Sequence, residues 1–348
     1  MTAFAGKHVL LLGGTGSLGQ ALARHLLTGG MGRAERVVVL SRDEAKQHDM
    51  RLAWARSTGT STRGADADPA RRLQFRIGDV RNPASLVPAL DGIDVVIHAA
   101  ALKQVPTCEY FPGEATLTNV VGAQNLMTAI AGCRRPPEAV IGISTDKAVE
   151  PCNVMGMTKA LQERLLIAAQ LELPATRVAQ VRYGNVLASR GSVVPLFLDQ
   201  IAAGGPVTIT HPAMTRFLLS MEHAVDAVAL ALEQAGRGAI LVPKIPSAAI
   251  LDVARALIGD RAIDMVETGI RPGEKLHERL ISTEEARRTT DHGRYFLIRP
   301  MLPELAGEQP AAESCWEYGS DARPMTATEV AAFLAANGFS AEGAGSPP

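Results

Sequence analysis

The side chains best suited to acid–base chemistry stand in one stretch, Ser144-Thr145-Asp146-Lys147-Ala148-Val149-Glu150-Pro151-Cys152-Asn153-Val154-Met155-Gly156-Met157-Thr158-Lys159. A hydroxyl, a carboxylate and an ammonium are consecutive at Thr145, Asp146 and Lys147, and a second ammonium follows at Lys159. Such a set can take one proton and give another, provided its surroundings tune each group. The apolar run Ala139-Val140-Ile141-Gly142-Ile143 before it predicts a buried parallel strand. The pattern Ala160-Leu161-Gln162-Glu163-Arg164-Leu165-Leu166 after it predicts a helix. The reactive groups therefore fall at the carboxyl end of a strand, where open α/β sheets bind their ligands.

A second constellation lies near the start. The strand Lys7-His8-Val9-Leu10-Leu11-Leu12 runs into Gly13-Gly14-Thr15-Gly16-Ser17-Leu18-Gly19, and a helix is predicted from Gln20. Glycines in a strand–turn–helix setting let the backbone approach a pyrophosphate, which the helix N-terminus then attracts. After the strand Arg36-Val37-Val38-Val39-Leu40 an NAD enzyme would place a carboxylate for the ribose 2′-hydroxyl. Here Ser41-Arg42 follows, with Lys46 nearby, which suits the 2′-phosphate of NADP; the alternative is a solvated charged turn.

Further strands are expected at Leu73–Ile77, Asp94–Ile97 and Arg177–Arg182. The first ends in Asp79-Val80, the second leads into His98 and the small residues Ala99, Ala100 and Ala101, which would let backbone lie against a cofactor. His98 alone reads as a packed histidine. Strands alternating with helices predict an α/β fold, a Rossmann-type doubly wound parallel sheet with right-handed crossovers. From about residue 186 the elements shorten, predicting a smaller C-terminal substrate-binding domain. The expected division is 1–185, 186–335 and a disordered tail at 336–348, with a flexible loop over 57–71 and a turn-rich link over Val105–Glu114.

The 348 residues are 47% hydrophobic, ample for a sizeable core, and 35 basic residues against 36 acidic ones argue against nucleic acid or an anionic membrane as partner. Cys108, Cys133, Cys152 and Cys315 form no metal or disulfide pattern, so reduced thiols and no metal are expected. Met1 to Lys7 lacks the regions of a signal peptide, and no apolar run is long enough to span a membrane. A soluble, cytoplasmic protein is the expectation.

The strand-end Thr145 and the Met155-Gly156-Met157-Thr158-Lys159 register resemble the active site of the extended short-chain dehydrogenase/reductases, in which a Tyr-x-x-x-Lys pair occupies this helix. Methionine stands at the tyrosine position, and a thioether cannot exchange a proton as a phenol does. Thr145-Asp146-Lys147-Ala148, Pro151, Asn153 and Met155-Gly156 resemble the CapD-like UDP-N-acetylhexosamine dehydratases. So do Ala188–Pro195, Met214-Thr215-Arg216-Phe217 and Gly269–Glu278, and the resemblance covers about residues 7 to 330.

The resemblance implies a tightly bound, recycled NADP, held by Gly13, Thr15, Gly16, Ser17, Leu18, Gly19, Ser41, Arg42, Lys46, Asp79, Val80, Ala99 to Ala101 and Lys159. Substrate contacts are expected from Lys103, Glu109, Asn185, Arg190, Thr208, Arg216, Arg271 and Glu274; Arg190 and Arg271 would clamp a diphosphate. Internal pairing for Arg216, solvation for Lys275 and a plain surface carboxylate for Glu109 are the alternatives. Asn119 would steady the active-site backbone. The implied reaction is dehydration of a UDP-N-acetylhexosamine, UDP-N-acetylglucosamine first, to a 4-keto-6-deoxy sugar, with inversion at carbon 5. Oxidation at carbon 4 acidifies carbon 5; Lys147 takes that proton, Asp146 protonates the leaving carbon 6 hydroxyl, and Thr145 bonds the carbon 4 oxygen. Lys159 binds the nicotinamide ribose, and with Met155 in place Asp146 is the first choice to accept the carbon 4 proton. A 4-epimerase, a dehydratase forming a 5,6-ene, and an inactive NADP-binding protein are the competing readings. A homo-oligomer, dimer or hexamer, is expected.

Overall fold

The computed structural model describes residues 2–58, 72–187, 189, 191–307 and 316–339. Six strands, β1 (His8–Leu12), β2 (Arg36–Ser41), β3 (Leu73–Ile77), β4 (Val95–His98), β5 (Ala139–Thr145) and β6 (Arg177–Tyr183), pair in parallel in the order β3-β2-β1-β4-β5-β6. The cores of β1, β2 and β4 are continuous apolar runs because both faces are covered, whereas the edge strand β3 alternates through Gln74 and Arg76. Val9, Leu11, Val37 and Ile141 face one hydrophobic cluster, and Leu10, Leu12, Val38 and Val140 face the other. Each such buried Leu or Val stabilises the fold by roughly 1.5–3 kcal/mol.

The strand order reverses between β1 and β4, which opens a crevice at their carboxyl ends. The expected doubly wound α/β sheet is therefore present, and it is larger than the sequence pattern indicated. Ile240–Pro243 adds in parallel to β6, followed by the antiparallel strands Tyr295–Ile298 and Thr289–Asp291, for nine strands. A separate cluster, including Leu187, Phe197, Ile209, Val253, Leu257 and Leu334, forms the core behind the crevice's far side.

Two local expectations change. The helix Glu44–Thr58 runs through the start of the loop read from residue 57, and 59–71 lie outside the described residues, as do Cys315 and residues 340–348; of the tail read from 336, Ala336 ends the helix Ala327–Ala336 and Phe339 packs on the core. The segment Val105–Glu114 is not simply turns: it forms helices Val105–Tyr110 and Pro112–Thr116, each with proline in its first turn, where no amide hydrogen is needed. Among the described residues, no helix is long and apolar enough to cross a membrane.

Candidate functional site

The crevice is a cavity of about 750 Å³ that runs from the glycine turn to Glu278. At one end, Gly13 has φ +77°, and a Cβ there would lie 2.7 Å from the Ala100 amide nitrogen. Glycine is thus required both by the backbone angle and by the closeness of the β1 and β4 exits. The helix Ser17–Thr28 begins after Gly16 with no side-chain cap, so its first amides remain available to an anion at the cavity wall.

Thr15, Gly16, Ser17, Leu18, Gly19, Ser41, Arg42, Lys46, Asp79, Val80 and Ala99 to Ala101 all line this part. Thr15 Oγ1 and Ser41 Oγ are 3.0 Å apart, and Lys46 Nζ is 2.6 Å from Asp43 Oδ2. Asp79 accepts hydrogen bonds from Arg81, at 2.9 Å from Nε and 2.7 Å from Nη2. An open glycine turn, uncapped helix amides and basic side chains beyond β2 fit a dinucleotide.

At the end of β5 the reactive stretch folds back on itself. Asn153 caps the helix Val154–Glu172 by accepting from the Gly156 amide at 2.8 Å. A Cβ at Gly156 would fall 2.2 Å from the Lys147 carbonyl oxygen, so glycine lets the helix press against the turn Asp146–Ala148. Lys159 Nζ donates to the Ile143 carbonyl at 2.5 Å and to Gln162 Oε1 at 2.7 Å. Burial lowers its pKa to about 8, against the opposing pull of Glu163. Asn119 sits in a π-helical turn, bonds both the amide and the carbonyl of Leu102, and donates to Thr158 Oγ1. Met155 is 5% exposed, packs with Cys108 and Ala115, and still lines the cavity.

Thr145 and Lys147 face the cavity, whereas Asp146 is 0% exposed and lies behind them. Thr145 Oγ1 donates to Asp146 Oδ1 at 2.8 Å, and Lys147 Nζ donates to the same oxygen at 3.1 Å. Lys147 also pairs with Glu278 Oε1 at 3.0 Å and with Asn185 Oδ1 at 3.4 Å. Burial raises the Asp146 pKa, and the nearby Glu278 charge adds to this against the pull of Lys147. For Lys147, burial works against the ammonium, but Asp146 and Glu278 outweigh it and raise its pKa. For Glu278, burial favours the protonated form, but Lys147 and Arg216 outweigh it and hold the pKa down. The two carboxyls beside Lys147 are thus shifted in opposite directions.

Lys103, Asn185, Thr208, Arg216, Arg271 and Glu274 also line the cavity. Thr208 Oγ1 accepts from Gln200 at 2.7 Å, and Arg271 stands 4.0 Å from Glu274 Oε1. Arg190 lies outside the described residues. Arg216 is buried and donates to the carbonyls of Thr215, Leu276 and Lys275, which is the internal-pairing alternative, though it keeps a place on the cavity wall.

One expectation is corrected here. Glu109 does not line the cavity; its Oε1 accepts from the Val154 amide at 2.6 Å, a first-turn donor that the Asn153 cap leaves free. The alternative of a solvated Lys275 is not met either, since Lys275 donates to the Val149 carbonyl. Sequence reasoning also passed over Glu278, which closes the quoted Gly269–Glu278 motif but belongs to no local pattern that marks it.

The family model described as polysaccharide biosynthesis protein matches residues 9–300. A protein named UDP-glucose 4-epimerase from Rickettsia conorii is 46% identical over 303 residues, 86% of this chain and 84% of that protein. Among solved structures, Pen from Bacillus thuringiensis is 31% identical with a TM-score of 0.84, covering 96% of this chain and 98% of that one. DesIV, a dTDP-glucose 4,6-dehydratase from Streptomyces venezuelae, is 22% identical with a TM-score of 0.66 over 77% of this chain and 86% of its own, and so shares the fold. With the family pattern running through its sheet and its candidate site, this chain belongs to the polysaccharide biosynthesis protein family, on the fold of the extended short-chain dehydrogenases/reductases.

Proposed function

We propose that the protein is a nucleotide-sugar 4,6-dehydratase acting on a UDP-N-acetylhexosamine, with UDP-N-acetylglucosamine as its first candidate substrate. The observation that supports this best is Lys147, held on the cavity wall between Asp146 and Glu278. A dehydratase needs a base and an acid beyond its redox chemistry, and this cluster supplies both. Residues 1–185 would hold the dinucleotide and 186–335 the sugar nucleotide, with the strands at 240–243 and 289–298 returning to the sheet.

A bound nicotinamide would supply reversible oxidation at carbon 4. Around it, Thr145 Oγ1 bonds the carbon 4 oxygen and passes the released proton inward along its 2.8 Å hydrogen bond to Asp146, a carboxyl shut off from the cavity. Lys147 takes the proton from carbon 5. Asp146 returns its proton through Thr145 to the departing carbon 6 hydroxyl, and Lys147 reprotonates carbon 5. Met155 excludes water beside the sugar.

The name of the Rickettsia relatives favours a second reading, a 4-epimerase. One experiment separates the two. UDP-N-acetylglucosamine carrying deuterium at carbon 4 is expected to give a 4-keto product with that deuterium at carbon 6, and in heavy water one solvent deuterium at carbon 5. Deuterium retained at carbon 4 of an epimerised sugar, with no water lost, would establish the epimerase. Unchanged substrate would point to an inert binder.

Cofactor choice is proposed as NADP, because Ser41 ends β2 where an NAD enzyme would place a carboxylate, Arg42 follows it, and both line the cavity, while the nearby Asp43 is paired with Lys46. The protein is expected to bind NADP more tightly than NAD in calorimetry, with Arg42→Ala shrinking the difference. Equal affinities in the unaltered protein would remove the assignment.

A further inference from the structure

The phenol missing at Met155 has a counterpart elsewhere on the cavity wall. Tyr183 is the last residue of β6 and stands in register with Thr145, the last residue of β5. Neighbouring strands lie about 4.8 Å apart, so the two side chains start next to one another. They also leave the sheet on the same face. Ser144 Oγ donates to Glu163 Oε1 at 2.5 Å, and Arg182 Nε donates to the same oxygen at 2.9 Å, both toward the helix Val154–Glu172. Side chains alternate along a strand, so Thr145 and Tyr183, each one residue further on, point the other way. The exit of β6 also lies close to the reactive turn: a Cβ at Gly184 would fall 3.3 Å from Asp146 Oδ2.

Tyr183 is 5% exposed, packs in the larger hydrophobic cluster and lines the cavity. Packing accounts for its ring but not for its oxygen. Among the described residues the hydroxyl has no hydrogen-bond partner, and it is not sealed from solvent, so it opens on the cavity. Burial pushes its pKa up, so the phenol keeps its proton at neutral and mildly alkaline pH. A hydroxyl brought this deep without a protein partner is placed for a ligand or a water.

The carbon 4 oxygen has need of such a donor. Thr145 gives its one proton to Asp146 at 2.8 Å and accepts from the Lys147 amide at 3.4 Å. It can receive the proton of the carbon 4 hydroxyl, but it remains a single donor to the oxygen left behind. The 4-ketone, and the enolate formed from it, gather negative charge on that oxygen, and preorganised donors aimed at it lower the barrier. Met155 offers none. We propose that Tyr183 is a further catalytic residue, whose hydroxyl donates a hydrogen bond to the carbon 4 oxygen beside Thr145. In the oxidation the hydroxyl proton passes to Thr145, the carbon 4 hydrogen leaves with its electron pair to the bound nicotinamide, and the carbon–oxygen double bond forms. Tyr183 keeps its own proton throughout. The inference rests on the oxidation at carbon 4 in the proposed function, a step that the dehydratase and 4-epimerase readings share.

The test compares wild type with Tyr183→Phe, which keeps the ring and removes only the hydroxyl. Without ligand, the thermal melt of the variant is expected to match wild type, because the hydroxyl holds nothing in the fold. NADP binding in calorimetry should match as well. Oxidation at carbon 4 is read as the transient absorbance of the reduced nicotinamide when NADP-loaded protein is mixed with UDP-N-acetylglucosamine in a single turnover. The variant is expected to be slower on the order of a hundredfold, the scale for losing one donor to a developing oxyanion. Its KM should change little, since the charge develops only after binding. The ratio of the two rates should be the same at neutral and mildly alkaline pH, because a neutral donor exchanges no proton.

Equal rates, a ratio that changes with pH, or a lowered melt overturns the proposal: the first removes the contact, the second makes Tyr183 a proton carrier, and the third makes it a structural residue. Weaker binding of NADP by the variant, with 2′-phospho-ADP-ribose bound as before, assigns the hydroxyl to the nicotinamide carboxamide and overturns it too. The dehydratase reading fails separately. Cofactor reduction in wild type with no solvent deuterium at carbon 5 sinks that reading and leaves Tyr183 in place, whereas a wild type that never reduces its cofactor ends both.

Discussion

Replacing Lys147 with alanine is expected to lower the rate of 4-keto product formation from UDP-N-acetylglucosamine by on the order of a hundred- to ten-thousand-fold, the cost of losing a positioned acid–base group. The ammonium is the basic member of the cluster that reaches the cavity, and the amines of Lys159 and Lys275 are engaged elsewhere, the first by the Ile143 carbonyl and Gln162, the second by the Val149 carbonyl. The substitution also leaves Asp146 and Glu278 facing each other without their shared cation. One of them will take a proton, so part of the loss could come from a softened site. Lys147→Gln separates these effects, because it keeps a donor between the carboxylates but cannot act as a base. Both variants should bind the dinucleotide as wild type does, and both should lose carbon 5 exchange in heavy water. If either turns over at close to the wild-type rate, Lys147 has no part in the chemistry.

Arg182→Met is expected to destabilise the protein by about 3–5 kcal/mol, the scale for breaking a buried ion pair on one side only. The Arg182 side chain is 1% exposed and joins three elements. Its Nε and Nη2 donate to Glu163 on the helix Val154–Glu172 at 2.9 and 2.6 Å. Nη1 and Nη2 donate to Glu285 at 2.8 and 2.9 Å, and Nη1 also reaches the Leu280 carbonyl at 2.8 Å. Removing the guanidinium strands two carboxylates in the interior. Burial would raise the Glu285 pKa, but Arg182 outweighs it and holds the value at about 2, below its ordinary 4.5. That depression means the pair's contribution is complete above pH 4.5 and drains away as the pH falls toward 2. Urea titration at neutral pH should show the lower midpoint, and wild type should lose its advantage over the variant in acid. A triple change, Arg182→Met with Glu163→Gln and Glu285→Gln, should recover part of the loss, since no charge is then left unpaired. A single variant as stable as wild type would mean that the network is already hydrated.

Much of this protein could be read from its residues in order. The strands β1, β2 and β4 were legible because a parallel strand covered on both faces reads as an unbroken apolar run, such as Val37-Val38-Val39-Leu40, while the edge strand β3 showed as the alternation Leu73-Gln74-Phe75-Arg76-Ile77. The glycine turn after β1 was legible because its backbone angle and its contact with Ala100 leave no room for a side chain, and both demands act within a short span. Thr145, Asp146 and Lys147 could be assigned to a strand end for the same reason: their neighbours along the chain place them there. Direction and partnership were different matters. Only the packed structure turned Asp146 inward, away from the cavity its sequence position suggested, and only the packed structure moved Glu109 from the expected sugar pocket to the N-terminus of a helix. Glu278, Arg182 and Lys275 gained their roles from residues far away in the chain, through the pairing of β5 with β6 and the return of the segment from Leu276 to Glu285 against them. Local pattern reports what the backbone does over one or two turns. Which charges meet is decided by crossovers and burial, because a carboxylate removed from water takes whatever cation the fold brings within reach.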